Sequence, residues 1–222
     1  MLVCFQTHYP RLSLIPQAPD VDLLVGVISA RDHKFSFSVN MTNLLMHLCT
    51  KGIKDFNLKS VSLMVIGECS NICEGRQRIL DTAVKFNMTH LLILDDDTTF
   101  PYDMLDLMFA RKVLPLGVNL AFKSARSPLG MGTAKGMNGS VVNTLNRMDT
   151  EPVEFTTMAC SLYRVADLAK LPRPAFQSNE LNTDDHHFHK LLNSHGFQMH
   201  VDHLLSKVCG HIGERILYVE TY

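Results

Sequence analysis

Three times between residues 23 and 108 a short apolar run gives way to a segment whose apolar residues recur at helical spacing, and this alternation constrains the fold more than any other feature. Leu23 to Ile28 precedes Phe37, Met41, Leu44, Leu45 and Leu48, with Gly52 as the stop. Val61 to Ile66 precedes Glu74 to Phe86, where Ile79, Leu80, Ala83 and Val84 share one face. Leu91 to Leu94 precedes a short helix opened by Pro101 and running through Met108. Unbroken apolar runs suit strands buried on both faces, and strand–helix alternation implies an α/β fold: a mostly parallel central sheet with helices on both sides. Ligands of such sheets sit at the carboxyl ends of the strands, which singles out Ser29, the region of Arg76, and Asp95 to Asp97.

With 222 residues the chain suits one domain with a sizeable core. Residues 1–20 carry Pro10, Pro16 and Pro19 without clear periodicity and read as a surface lead-in, so the domain is expected over 21–222. The second half is less regular. Leu116 to Phe122 and Phe155 to Tyr163 read as strands, the latter followed by a short helix to Leu171 and the break Pro172-Arg173-Pro174. Asp184-Asp185 is expected to cap a helix running to His195, and Phe197 to Val201 and Leu204 to Val208 read as short strands. Ser124 to Asn143, with Gly130, Gly132, Gly136 and Gly139, is long for a connection and reads as a mobile loop.

The third strand ends in Asp95-Asp96-Asp97. Carboxylates this close repel, and a hard divalent ion removes the penalty by taking oxygens from the first and third, leaving the middle one for a ligand hydroxyl. The bland alternative is a solvated acidic turn that also caps the helix at Thr98-Thr99-Phe100-Pro101. Two arginines, Arg76 and Arg78, open the second helix and oppose its dipole, so an anion there would be favourable.

The net charge of −1 announces neither a nucleic-acid nor a membrane-surface protein. Its distribution is uneven, because no acidic residue lies between Asp106 and Asp149, whereas Arg111, Lys112, Lys123, Arg126, Lys135 and Arg147 do. A basic stretch beside three carboxylates suits a polyphosphate held between cations and a metal; a merely basic surface is the other reading. Cys4, Cys49, Cys69, Cys73, Cys160 and Cys209 lack zinc-finger spacing and read as reduced thiols of a cytoplasmic protein. No apolar run reaches the ~20 residues of a membrane span, and no export signal is visible.

Two further constellations stand out. In Asp184 to His189 a helix sends adjacent side chains in different directions, so at most two of them share one ion; one aspartate facing the cleft as a base is the functional reading and N-capping the structural one. His211, between Gly210 and Gly213, can approach a distant carboxylate pair.

Taken in order, these pieces resemble a family. Ser29-Ala30-Arg31-Asp32 after the first strand, Arg76-Gln77, then Leu91 to Asp97 with Phe100-Pro101, look like the GT-A glycosyltransferases, whose D-x-D motif would be Asp95 and Asp97. Phe155 to Tyr163 with Arg164-Val165-Ala166 resembles their acceptor-side strand, Asp184-Asp185 falls where they carry Glu-Asp, and Cys209 to Gly213 resembles their closing metal-ligand histidine. The resemblance covers roughly residues 22–214 and is closest to small single-domain transferases of phages and large viruses, which implies a host cytoplasm if the chain is viral.

The resemblance implies a Rossmann-like single domain that moves a sugar from a UDP- or GDP-linked donor to an acceptor hydroxyl on a glycan, a lipid-linked molecule or modified DNA. Mn²⁺ or Mg²⁺ would be held by Asp97 and His211, with Asp95 directly or through water. Asp96 and Asp95 would address ribose and sugar, Ser29 and Arg31 the base, and Arg76 or Lys123 the phosphates. Asp185, with Asp184 beside it, would be the general base of an inverting reaction or orient the acceptor or sugar in a retaining one. A metal-dependent nucleotidyltransferase is the rival enzyme, but it calls for a glycine-rich loop after the first strand, which Ser29 to Asp32 lacks. A nucleotide-sugar-binding module without turnover is the rival from another class.

Overall fold

A computed structural model describes residues 2–5, 19–29, 34–121, 131–178, 183–212 and 216–218. In chain order the first half contains β1 (Leu2–Phe5), β2 (Asp20–Ile28), α1 (Phe35–Thr50), β3 (Asn57–Ile66), α2 (Ile72–Lys85), β4 (His90–Asp95), β5 (Thr98–Thr99), α3 (Met104–Ala110) and β6 (Leu116–Val118). The second contains β7 (Met131–Gly136), β8 (Val141–Asn143), β9 (Thr150–Phe155), β10 (Cys160–Arg164), α4 (Val165–Leu168), α5 (Asp184–Ser194), β11 (His200–Asp202), α6 (His203–Val208), β12 (Gly210–Ile212) and β13 (Ile216–Tyr218).

Among the described residues, ten strands form one sheet in the order β1-β3-β2-β4-β10-β6-β11-β9-β7-β8. In its middle, β3, β2, β4, β6 and β11 point one way and β10 alone is reversed, antiparallel to both β4 and β6. The sheet is therefore mostly parallel where the first-half alternation builds it. Alternate residues of β4 separate cleanly: Leu92 and Leu94 join the core under α1, α3 and α6, and Leu91 and Ile93 join the core under α2, α4 and α5. Contact between α2 and β2 is close. A Cβ on Gly26 would sit 2.4 Å from Ile79 Cγ2, and one on Gly75 would sit 2.9 Å from Ile28 Cδ1, so both positions need glycine for the helix to lie this near the sheet.

A second, three-stranded sheet, β13-β12-β5, sits past the end of β4. It pairs His211 with Thr98 and Gly210 with Thr99, and Ile212 N donates to Asp97 O at 2.6 Å. The turn that carries the aspartates is thereby tied to the last strands of the chain.

Several sequence expectations are corrected. Within the lead-in, Leu2 to Phe5 forms a strand that the sequence pattern did not signal, paired antiparallel with β3 at the edge of the sheet. Of Ser124 to Asn143, residues 124–130 lie outside the described residues, and the remainder is the β7–β8 hairpin rather than a loop. Gly132 serves packing, since a Cβ there would meet Asn119 Oδ1 at 2.3 Å, whereas Gly139 takes a φ of +79° in the turn. Phe155 to Tyr163 is split between β9 and β10 by the buried segment Thr156-Thr157-Met158-Ala159, which turns at its last two residues. Leu204 to Val208 belongs to α6 and not to a strand, because Asp202 caps it by accepting from Leu205 N at 3.1 Å. A short apolar run does not reveal its period, and here the cap decides.

Candidate functional site

The site is assembled at the carboxyl ends of β2 and β4 from side chains that five segments deliver. At the end of β2, Ser29 is buried, its amide donates to Ile66 O at 2.9 Å, and its hydroxyl donates to Asp96 Oδ2 at 2.5 Å. At the end of β4, Asp95 is held by its amide on Ala159 O at 3.0 Å, and Asp96 by its amide on Ile28 O at 3.3 Å. The three consecutive aspartates therefore have different surroundings: Asp95 faces α2, Asp96 returns to Ser29, and Asp97 abuts β12.

Arg76 stands at the centre. It lies in the first half of α2, whose Asn71 caps by accepting from Glu74 N, and only 4% of its side chain is exposed. Its Nη2 donates to both oxygens of Asp95, at 2.9 and 3.1 Å, and its Nη1 donates to Asp184 Oδ2 and Asp185 Oδ1, each at 2.5 Å. The anion expected opposite the arginines of this helix is supplied by the protein itself. Arg78, in contrast, is exposed. The three carboxylates raise the Arg76 pKa well above the usual guanidinium range although burial opposes this.

Asp184 and Asp185 open α5, but neither caps it. Thr183 does, accepting from His186 N at 3.4 Å, and this leaves both carboxylates to turn toward Arg76. Asp185 is 21% exposed and also accepts a hydrogen bond from the Met158 backbone. Burial, reinforced by Asp184 and Asp95, outweighs the attraction of Arg76 and pushes its pKa up to about 6. One turn along the same face lies His189, fully buried, with Nδ1 accepting from Thr156 N at 3.4 Å and Nε2 bonded to Tyr163 Oη at 3.0 Å. Burial and the nearby Arg76 press its pKa down to about 3, so it is a neutral strut under the carboxylates. The i, i+4 spacing of Asp185 and His189 is the signal by which this pair was readable; the part played by Met158 had none.

His211, buried in β12, is oriented by a bond from Nδ1 to Ala121 O at 2.6 Å. A carbonyl only accepts, so Nδ1 carries the proton and Nε2 is the basic nitrogen. The Ile212–Asp97 backbone bond ties the Asp97 turn to β12, in which His211 itself pairs with Thr98. Among the described residues, no three of His, Cys, Asp and Glu form a ready-made metal cluster. Arg31, Lys123 and Arg126 lie outside the described residues. The rest of the basic stretch is partly spent internally: Arg111 binds the buried Asp202 at 2.6 Å, and Arg147 binds Asp149 and Glu151 at 2.8 and 2.7 Å.

No family model matches the chain, and no curated protein matches its sequence. Among solved structures, A197 from STIV superposes with a TM-score of 0.60 at 15% identity, over 89% of this chain and 90% of its own. GalNAc-T7, in a structure with UDP, GalNAc and Mn²⁺, superposes with a TM-score of 0.50 at 10% identity over 87% of this chain. The fold is of the GT-A type. This chain spans 44% of that GalNAc-T7 chain, so the likeness concerns only a part of that longer chain. Among the described residues, no helix is long and apolar enough to cross a membrane.

Proposed function

We propose that the chain is a metal-dependent glycosyltransferase that moves a sugar from a UDP- or GDP-linked donor to an acceptor hydroxyl. The observation that carries this reading is the convergence of Asp95, Asp96, Asp97, Asp184, Asp185 and His211 on one sheet edge of a GT-A-type fold. Three carboxylates gather around one guanidinium, which leaves the edge short of positive charge.

The donor set fits a divalent ion such as Mn²⁺ or Mg²⁺. A carboxylate on Asp97 and an imidazole on His211, its ring fixed by the Ala121 carbonyl, are ligands of the right chemistry, and the Ile212–Asp97 backbone bond joins the two segments that carry them. An ion that takes its other ligands from phosphate oxygens and water needs only one or two protein donors, so a third protein ligand is not required. Asp95, with both oxygens accepting from Arg76, would act on the ion through water. When bound, such an ion would supply positive charge that stabilises a diphosphate leaving group.

Asp96, braced by Ser29, would hold a hydroxyl of the ribose, and Ser29 with Arg31 would border the base. Asp185 would receive the acceptor proton: at neutral pH a carboxylate with a pKa of about 6 is ionised yet more basic than an ordinary one. Asp184 would share Arg76 with it and steady the approach. Lys123 remains the candidate for the phosphates. Titration calorimetry with UDP and with GDP, in Mn²⁺ and in excess chelator, tests the reading, followed by a hydrolysis screen across nucleotide sugars. Metal-dependent binding of one nucleotide is the expected result, and equal affinity in chelator rejects the metal assignment.

A further inference from the structure

We propose that Arg76 is a positioning residue that spans the donor-side Asp95 and the acceptor-side Asp185 and sets their separation, and that it does not bind the donor phosphates. The inference rests on the glycosyltransferase reading for its kinetic consequences, and on geometry alone for the clamp itself.

A guanidinium has five N–H donors. Four of them, the pairs on Nη1 and Nη2, match the four contacts to Asp184, Asp185 and the two oxygens of Asp95. The fifth, on Nε, is buried and has no hydrogen-bond partner among the described residues, so it does not face an open cleft. A phosphate would therefore have to displace a charge-assisted bond in a place where 4% of the side chain is exposed. The backbone beneath Arg76 cannot shift to offer the side chain elsewhere, because Gly75 and Gly26 let α2 lie directly on Ile28 and β2 with no spare space. From the other side, α5 is anchored by Phe188 stacked on Phe176 at 4.3 Å and by the His189–Tyr163 bond. Two rigid elements thus meet through one fork. Asp95 ends β4, where the donor would lie, and Asp185 begins α5, where the acceptor proton would go, so the fork fixes the span between the two halves of the reaction.

Lysine keeps the charge but not the fork, since a single ammonium cannot hold three carboxylates in a plane. In Arg76→Lys, with folding checked by thermal unfolding, UDP or GDP (whichever the wild type binds in Mn²⁺) and its nucleoside should each bind within about threefold of wild type. Turnover of the sugar donor should fall at least about a hundredfold with little change in KM, as expected when a reacting group is misplaced. A nucleotide affinity that collapses while nucleoside affinity stays, with a matching rise in KM, would mean that Arg76 grips the diphosphate and would overturn the proposal. If the wild type binds neither nucleotide, the transferase reading fails, and the clamp is judged by stability alone. Asp95→Asn, Asp185→Asn and the double variant should then be non-additive by roughly tenfold in the unfolding equilibrium constant, because both carboxylates share one partner. Additivity within twofold would dismiss the clamp.

Discussion

Arg76 and Asp185 are 109 residues apart in the chain, and Nη1 of the one donates to Oδ1 of the other at 2.5 Å. The direction of a carboxylate at the start of α5 is therefore set by how tightly α2 packs on β2. The same carboxylate is desolvated enough that its pKa reaches about 6 in spite of the arginine. A charge pair that still leaves its acid weakly acidic is an arrangement better suited to proton transfer than to stability.

The first prediction concerns rate. If Asp185 accepts the acceptor proton, kcat/KM should climb with pH along a limb centred near 6, and Asp185→Asn should lose transfer by about 10²-fold or more while retaining donor binding. A pH–rate profile of the wild type, with calorimetry on the variant, checks both. Near-normal turnover in the variant would assign the proton to another group or to a retaining route.

Stability should respond with the opposite sense at two neighbouring groups. Asp185 has a folded pKa raised from 3.8 to about 6, so its contribution is greatest at low pH and is lost as pH rises through that window. His189 has a folded pKa lowered from 6.5 to about 3, so its contribution is lost as pH falls below about 6.5. Over pH 4–6 the two slopes oppose each other. Asp185→Asn removes one of them, and the variant should gain up to about 3 kcal/mol over wild type at pH 8 but lose stability more steeply on acidification. Urea unfolding across this pH range reads the difference, and parallel profiles would contradict the linkage.

His211→Ala should weaken metal-dependent nucleotide binding by about tenfold or more while leaving the large sheet intact, because among the described residues β12 pairs only with β5 and β13. Calorimetry in Mn²⁺ is the measurement. Unchanged affinity would return His211 to a structural role at the Ala121 carbonyl.

Gly132→Ala should cost roughly 1–3 kcal/mol, the usual penalty of overpacking. Its Cβ would meet Asn119 Oδ1 at 2.3 Å and the Leu120 carbonyl at 2.5 Å. Asn119 has little room to yield, since Oδ1 accepts from Ala134 N at 2.8 Å and Nδ2 donates to Val142 O and Thr144 Oγ1 at 3.1 and 3.0 Å. Gly67→Ala is the matched control, with nothing within 4 Å of the added carbon. Equal midpoints for the two variants in denaturant would refute the packing account.

By itself the sequence determined the alternating half of the fold. The runs Leu23 to Ile28, Val61 to Ile66 and Leu91 to Leu94 are local patterns, and they became β2, β3 and β4 with the intervening segments as α1 and α2. It also determined which chemistry-bearing residues stand at strand ends, because Ser29 and Asp95 to Asp97 follow those runs directly. Tertiary structure alone decided the rest. Leu204 to Val208 is helical because Asp202 caps it, and Leu2 to Phe5 is a strand because β3 offers an edge; neither fact is written in the run itself. Arg76 reads from sequence as a cation awaiting a phosphate, yet in the fold three aspartates from two other segments occupy it. Local periodicity is set by neighbours along the chain, whereas the partner of a buried charge is set by what the finished core brings within hydrogen-bond reach.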